Sequence, residues 1–158
     1  MTIENVTDTL REHPFLQGFR PDHIDKLAAM ASEVRFGKNE LIFHEGDESS
    51  FFYLLLSGSV ALEVPTPGRT VRVATLGHGE ELGWSSILPS THVKQFQARS
   101  LEEVRALGFD GERLRHACEE DYSFGYALLR AVLQVVASRL QATRIQLLDI
   151  YSPVSSKA

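Results

Sequence analysis

The hydrophobic period changes twice along this chain, and those two changes bound what it can fold into. Before residue 34 the apolar spacing is helical. A loose helical pattern runs from Asn5 to Leu16, interrupted by Pro14. Pro21 then opens a second helix, with Asp22 and Asp25 nearby and Ile24, Leu27, Ala28 and Ala31 at three-four spacing. From Val34 the period becomes two. Val34–Phe36, Leu41–Phe43, Phe51–Leu56, Val60–Val64 and Val71–Leu76 read as short strands, separated by Gly37, Gly46-Asp47, Gly58 and Pro67-Gly68. His92–Ala98 and Glu103–Phe109 read as two more. Short strands at this spacing predict a mainly β fold, an antiparallel double-sheet roll with helices at both ends.

After Phe109 the helical period returns. Asp110 is placed to cap a helix through Glu112, Leu114 and Cys118. Beyond Ser123 a long helical segment reaches about Ile150. This divides the chain into N-terminal helices (1–33), a roll (34–109), a short and a long helix (110–151) and a frayed tail (152–158), one domain overall. The long helix carries two apolar stripes. Leu128, Ala131 and Val135 form one; Leu129, Val132, Val136, Leu140, Thr143, Leu147 and Ile150 form the other. Either the second stripe is a homodimer seam, or the helix is buried on both sides by its own domain.

Composition excludes several classes. The net charge of −5 gives no general attraction to nucleic acid or anionic lipid. The lone Cys118 fits a reducing compartment and reads as an inert core thiol. The first residues lack a basic region followed by an apolar one, so no signal peptide is expected. The most apolar stretch, Ala127 to Ala137, contains Arg130 and Gln134 and falls short of the roughly 20 residues of a membrane span. A cytoplasmic protein is expected. No Ser-His-Asp order or paired-acid constellation converges, so an enzyme is the weakest reading. His44-Glu45 and His78-Gly79-Glu80 lack the closely spaced histidine pair of a metal-binding roll, and neither His78 nor His92 has an evident axial partner for haem. His13 and His116 stand apart, in surface or capping roles.

Three segments carry a resemblance: Leu41-Ile42-Phe43-His44-Glu45-Gly46-Asp47, Phe52-Tyr53-Leu54-Leu55-Leu56-Ser57-Gly58-Ser59-Val60 and Leu76-Gly77-His78-Gly79-Glu80-Glu81-Leu82-Gly83. Together they resemble the cyclic-nucleotide-binding domain of the catabolite activator protein (Crp/Fnr) family, over about Phe15 to Tyr151. Gly46, Gly58, Gly79 and Gly83 fall where that pattern wants glycine. The resemblance implies leading helices, an eight-stranded roll, a short helix and a long dimerising helix. Full-length regulators of the family continue into a helix-turn-helix domain. The chain stops at Ala158 with no recognition helix or basic stripe, so direct DNA binding is not expected.

In members that bind cyclic AMP, the loop's second glycine is followed by a glutamate for the ribose hydroxyl. An arginine further on neutralises the cyclic phosphate, with a hydroxyl residue beside it. Here Trp84 follows Gly83, and counting back from Ala98 puts the arginine position on His92 and the hydroxyl position on Val93. A rival register gives Glu81 the glutamate role but displaces both glycines. The standard charged hydrogen bonds are therefore expected to be mostly missing.

The expected pocket comprises Gly83, Trp84, Ser85, Ser86, His92, Val93 and Lys94. Alternation along a strand would point His92, Lys94, Phe96 and Ala98 the same way. Lys94 then pairs with Glu80 or Glu81, reaches solvent, or awaits an anion. Trp84 either stacks on a flat ligand or fills the vacant space. Backbone N–H groups of Gly83 to Ser86 offer an anion nest. The expected function is a regulatory ligand sensor taking a cyclic nucleotide or another small anion, acting on an unidentified protein partner. The alternatives are a ligand-free scaffold plugged by Trp84, and a cyclic nucleotide binder with non-standard contacts.

Overall fold

The computed structural model describes residues 1–48, 50–88 and 93–152. Helix α1 (Ile3–Glu12) is followed by a 3-10 turn (Pro14–Leu16) and helix α2 (Pro21–Met30). Eight strands follow: β1 (Ser32–Phe36), β2 (Leu41–Phe43), β3 (Phe51–Ser57), β4 (Val60–Thr66), β5 (Arg69–Leu76), β6 (Glu81–Leu82), β7 (Gln97–Ser100) and β8 (Val104–Asp110). Helices α3 (Gly111–Glu120) and α4 (Tyr122–Tyr151) close the chain. All pairings are antiparallel, in two four-stranded sheets ordered β1-β8-β3-β6 and β2-β7-β4-β5. The double-sheet roll with flanking helices is the architecture that the period changes imply.

Strand β3 shows how the layers divide. Phe52 and Leu54 pack outward against the helices, in one cluster with Leu10, Leu27, Phe109, Leu114, Phe124 and Leu128. Leu55 points into the roll with Leu62, Leu82, Ala98 and Ala106, where the half-buried Tyr53 also packs. A period of two with both faces covered gives a nearly continuous apolar strand, Phe51 to Leu56. The caps are side-chain built. Asp110 accepts from the Arg113 N–H, and Asp121 from Ser123 and Phe124. Asp121 also meets Lys26 Nζ at 2.9 Å, tying α4 to α2 and holding the Asp121 carboxyl well below its usual range. His13 caps the 3-10 turn, its Nδ1 accepting from Phe15 N–H while Nε2 bonds the Leu55 carbonyl. Among the described residues no helix is long and apolar enough to cross a membrane.

Three expectations are corrected. The strand expected at His92–Ala98 is β7, Gln97–Ser100. Val93 makes only an isolated bridge to Glu48, and Lys94 exchanges backbone hydrogen bonds with the Gly46–Asp47 turn. A bend at Gln95–Phe96 then leads into the ladder. The turn takes the hydrogen bonds that would have extended the strand. Phe96 is consequently 36% exposed, although it lines the same cavity as Lys94. Second, β6 is a strand of two residues inside the expected loop, paired with Tyr53 and Leu54. Third, Val132 is buried against its own domain and leaves the outer stripe to Leu133.

With Leu133 in place, the outward apolar residues of α4 step by fours and threes: Tyr126, Leu129, Leu133, Val136, Leu140, Thr143, Leu147 and Ile150. From Leu140 to Ser152 every residue is exposed. The end of α4 therefore projects beyond the body of the domain.

Candidate functional site

Gly83 starts the site. Its φ of +84° lets the chain turn from β6 into a 3-10 helix (Trp84–Ile87), and a side chain there would meet the Phe51 carbonyl at 2.4 Å and Lys94 Nζ at 3.0 Å. The bare backbone thus leaves room for a lysine amine. Lys94 itself is placed from the other side, its N–H donating to Asp47 O at 2.8 Å and its C=O accepting from Gly46 at 2.9 Å. The side chain is 5% exposed, and its amine lies 4.4 Å from the Phe43 ring centroid.

These residues enclose a cavity of about 60 Å³, lined by Gly83, Trp84, Ser85, Val93 and Lys94 together with Phe43, Leu62, Leu82, Gln95, Phe96 and Arg139. Five of the seven residues expected from sequence meet there. Ser86 does not. It is fully buried against Gly111 at the start of α3, because successive residues of a 3-10 turn point in different directions. Its N–H is spent on the Gly83 carbonyl, so the expected nest loses that donor. His92 lies outside the described residues. The volume holds a few waters, well under the roughly 300–1,000 Å³ of pockets for drug-sized ligands. Trp84 forms one wall and packs half-buried against the helical core.

The electrostatics are those of an incompletely paired site. Lys94 Nζ has no hydrogen-bond partner among the described residues. Burial lowers its pKa from 10.5 to about 8, against the raising influence of Glu81 and Asp47. Neither acid expected to pair with it does so. Glu80 accepts the Gly77 N–H at 2.7 Å. Glu81, 1% exposed, meets Arg139 Nη2 at 2.5 Å instead. That nitrogen donates to the Glu81 carbonyl at 2.9 Å, and neither carboxylate oxygen accepts a well-directed hydrogen bond. Burial pushes Glu81 up from 4.5 to about 7, opposed by Arg139. Arg139 was not expected here. Its only sequence signal is a charge on α4 next to the outward stripe.

Arg139 also joins the cavity to the long helix, since it stands on α4 and bonds β6. Among the described residues no group of three His, Cys, Asp or Glu side chains gathers to hold a metal. Burial raises Cys118 to about 11, which keeps it a thiol.

Residues 33–121 match the family model described as the cyclic nucleotide-binding domain. The chain is 29% identical over 146 residues to the CRP-like cAMP-activated global transcriptional regulator of Mycobacterium tuberculosis, covering 92% of this chain and 63% of that protein. It therefore spans less than two thirds of that relative's length. It is 28% identical over 139 residues to Glutaminase 1 of Bradyrhizobium diazoefficiens, covering 85% of this chain but 21% of that one. Among solved structures, a putative cyclic nucleotide-binding protein from Geobacter metallireducens superposes with a TM-score of 0.74 at 27% identity, over 85% of this chain and 97% of its own.

Proposed function

This chain belongs to the cyclic nucleotide-binding domain family, and from that premise we infer that it is a regulatory module sensing a small anion at the Lys94 cavity without the standard cyclic AMP contacts. The observation that carries this is Lys94: a buried, unpaired cation on the cavity of a family built around an anionic ligand. Trp84 stands where family members that bind cyclic AMP place a glutamate, so the ribose contact is missing. Occupancy is passed on through Arg139. An anion beside Lys94 shifts the balance of charge around Glu81, and Glu81 is held by α4. The outward stripe of α4 joins two copies. Leu133, Leu140 and Leu147 recur at seven-residue spacing beside Leu129, Val136, Thr143 and Ile150. The three-residue step from Leu133 to Val136 puts the leucines at the a positions, and in isolated coiled coils leucine at a with β-branched residues at d favours more than two strands. Here the roll covers the opposite side of α4 only as far as Arg139, and from Leu140 the helix is exposed on every side.

One observation favours a second reading, the ligand-free scaffold: the cavity is small, and Trp84 packs against the core. A thermal-shift screen with cyclic mononucleotides, cyclic dinucleotides and haem separates the two. A ligand at 100 times its dissociation constant adds about 2.7 kcal/mol of stability. The sensor reading also expects cyclic AMP to bind weakly, because two lost charged contacts cost on the order of a hundredfold or more. Micromolar cyclic AMP binding in calorimetry would refute it. The assembly is tested by Leu133→Asp with Leu140→Asp, which should give monomers in sedimentation; a wild type already monomeric at micromolar concentration contradicts the seam.

A further inference from the structure

We propose that the Lys94 cavity takes a small aromatic monocarboxylate rather than a nucleotide. This deepens the anion-sensing reading and rests on it. Charge sets the first limit. Of the two cations that line the cavity, Arg139 is matched by Glu81, while the Lys94 amine has no partner, so one negative charge completes the site. A dianionic phosphate monoester would leave a charge uncompensated in a buried setting, while a cyclic nucleotide, a monoanion, meets this limit and is excluded by the next two.

The walls set the second limit. Phe43, Trp84 and Phe96 present three aromatic rings, with Leu62, Leu82 and Val93 between them. A flat apolar body gains both buried area and edge or face contacts against such walls. The ribose of a nucleotide needs hydrogen-bond partners, and Trp84 after Gly83 supplies no acceptor. Size sets the third. At about 60 Å³ the cavity admits one ring only after Trp84 swings outward, and a whole nucleotide demands a far larger rearrangement. Trp84 is half-buried rather than enclosed, and Val93 and Phe96 beside it are exposed, so the opening lies on that side.

Trp84 is the one tryptophan in the sequence, so its emission reports directly on the cavity. The test titrates the intact protein with benzoate, following Trp84 emission and calorimetric heat. Benzamide removes the charge from the probe, and cyclohexanecarboxylate removes the aromatic ring. Saturable benzoate binding is expected, at least about tenfold tighter than either control, the loss that follows from one charge-assisted hydrogen bond or one aromatic contact. Lys94→Gln should lose at least about tenfold in benzoate affinity, whereas Lys94→Arg should retain most of it. Cooperative melting of both variants at or above the wild-type temperature would show that the fold persists. Equal binding of benzamide or cyclohexanecarboxylate, or indifference to Lys94→Gln, overturns the proposal. Nucleotide binding without benzoate binding overturns the ligand class and leaves anion sensing intact; no binding of either probe defeats both.

Discussion

Two glutamates are buried in the same roll, and they are treated differently. Glu63 on β4 accepts Gln97 Nε2 at 2.7 Å and lies 3.5 Å from Arg99 Nε, two partners from the neighbouring strand β7. Glu81 on β6 is more deeply buried, yet among the described residues its carboxylate accepts no well-directed hydrogen bond, and its ion pair is with Arg139 of α4. Glu63 sits in a finished sheet. Glu81 sits at the junction of sheet, cavity and long helix, ion-paired to Arg139 without a well-directed hydrogen bond and near Lys94, whose amine has no hydrogen-bond partner among the described residues. Buried polar groups are normally satisfied, because an orphan forfeits its hydration without return. Two buried groups of opposite sign with unmet hydrogen bonds thus lie near one cavity, and the proposed sensing role rests on them.

The largest effect should come from breaking the finished site. Glu63→Ala strands the Gln97 amide and Arg99, and should cost on the order of 3 kcal/mol in urea unfolding. A loss below about 1 kcal/mol would mean that the Glu63 network carries little weight, and the contrast with Glu81 would fail. Next, Lys94→Met should stabilise the unliganded protein by about 1–3 kcal/mol near pH 7, since it removes an unsatisfied buried cation. The sign follows from a folded pKa depressed below the unfolded one. The cost of the charge is complete below pH 8, declines from about 8 to 10.5, and vanishes above, so the advantage of Met should fade over that window.

Smallest is Glu81→Gln. The Glu81 pKa is raised in the fold, so the native state holds its proton longer and stability falls as pH rises from 4.5 to about 7. Gln mimics the protonated acid. Its advantage should be absent at pH 4.5 and grow until about pH 7, as read from melting temperatures across that range. An advantage that shrinks with rising pH would show that the ionised carboxylate is stabilised in the fold after all.

Much of the architecture was legible because local rules coincide. Alternation in Val60–Val64 and Val71–Leu76, with Pro67-Gly68 between and Gly68 at a φ of +82°, reads as the hairpin that β4 and β5 form. What was not legible depends on contacts distant in sequence. Lys94 is turned inward by the Gly46–Asp47 turn, nearly fifty residues earlier, and no pattern within residues 92–98 announces that the turn will take the strand's hydrogen bonds. The Arg139–Glu81 contact spans 58 positions. Val132 and Leu133 are adjacent and both apolar, so the sequence alone does not decide which belongs to the stripe; the tilt of α4 against the roll does. The inward Lys94 was reached by assuming an unbroken strand through Phe96. The direction of Lys94 holds for a different reason, the bonds to the Gly46–Asp47 turn, and Phe96 meets the same cavity from a bend, not from a strand.

The central claim is that Lys94 is buried as a cation with no hydrogen-bond partner among the described residues. The chain has four lysines, Lys26, Lys38, Lys94 and Lys157, few enough to resolve by NMR after labelling of their ε-carbons. Titration of the unliganded protein should show one lysine with a midpoint near pH 8, absent in Lys94→Arg. Four lysines all titrating near the ordinary 10.5 would place the Lys94 amine in water or beside an acid, and the reading of this cavity as an unfilled anion site would fall with it.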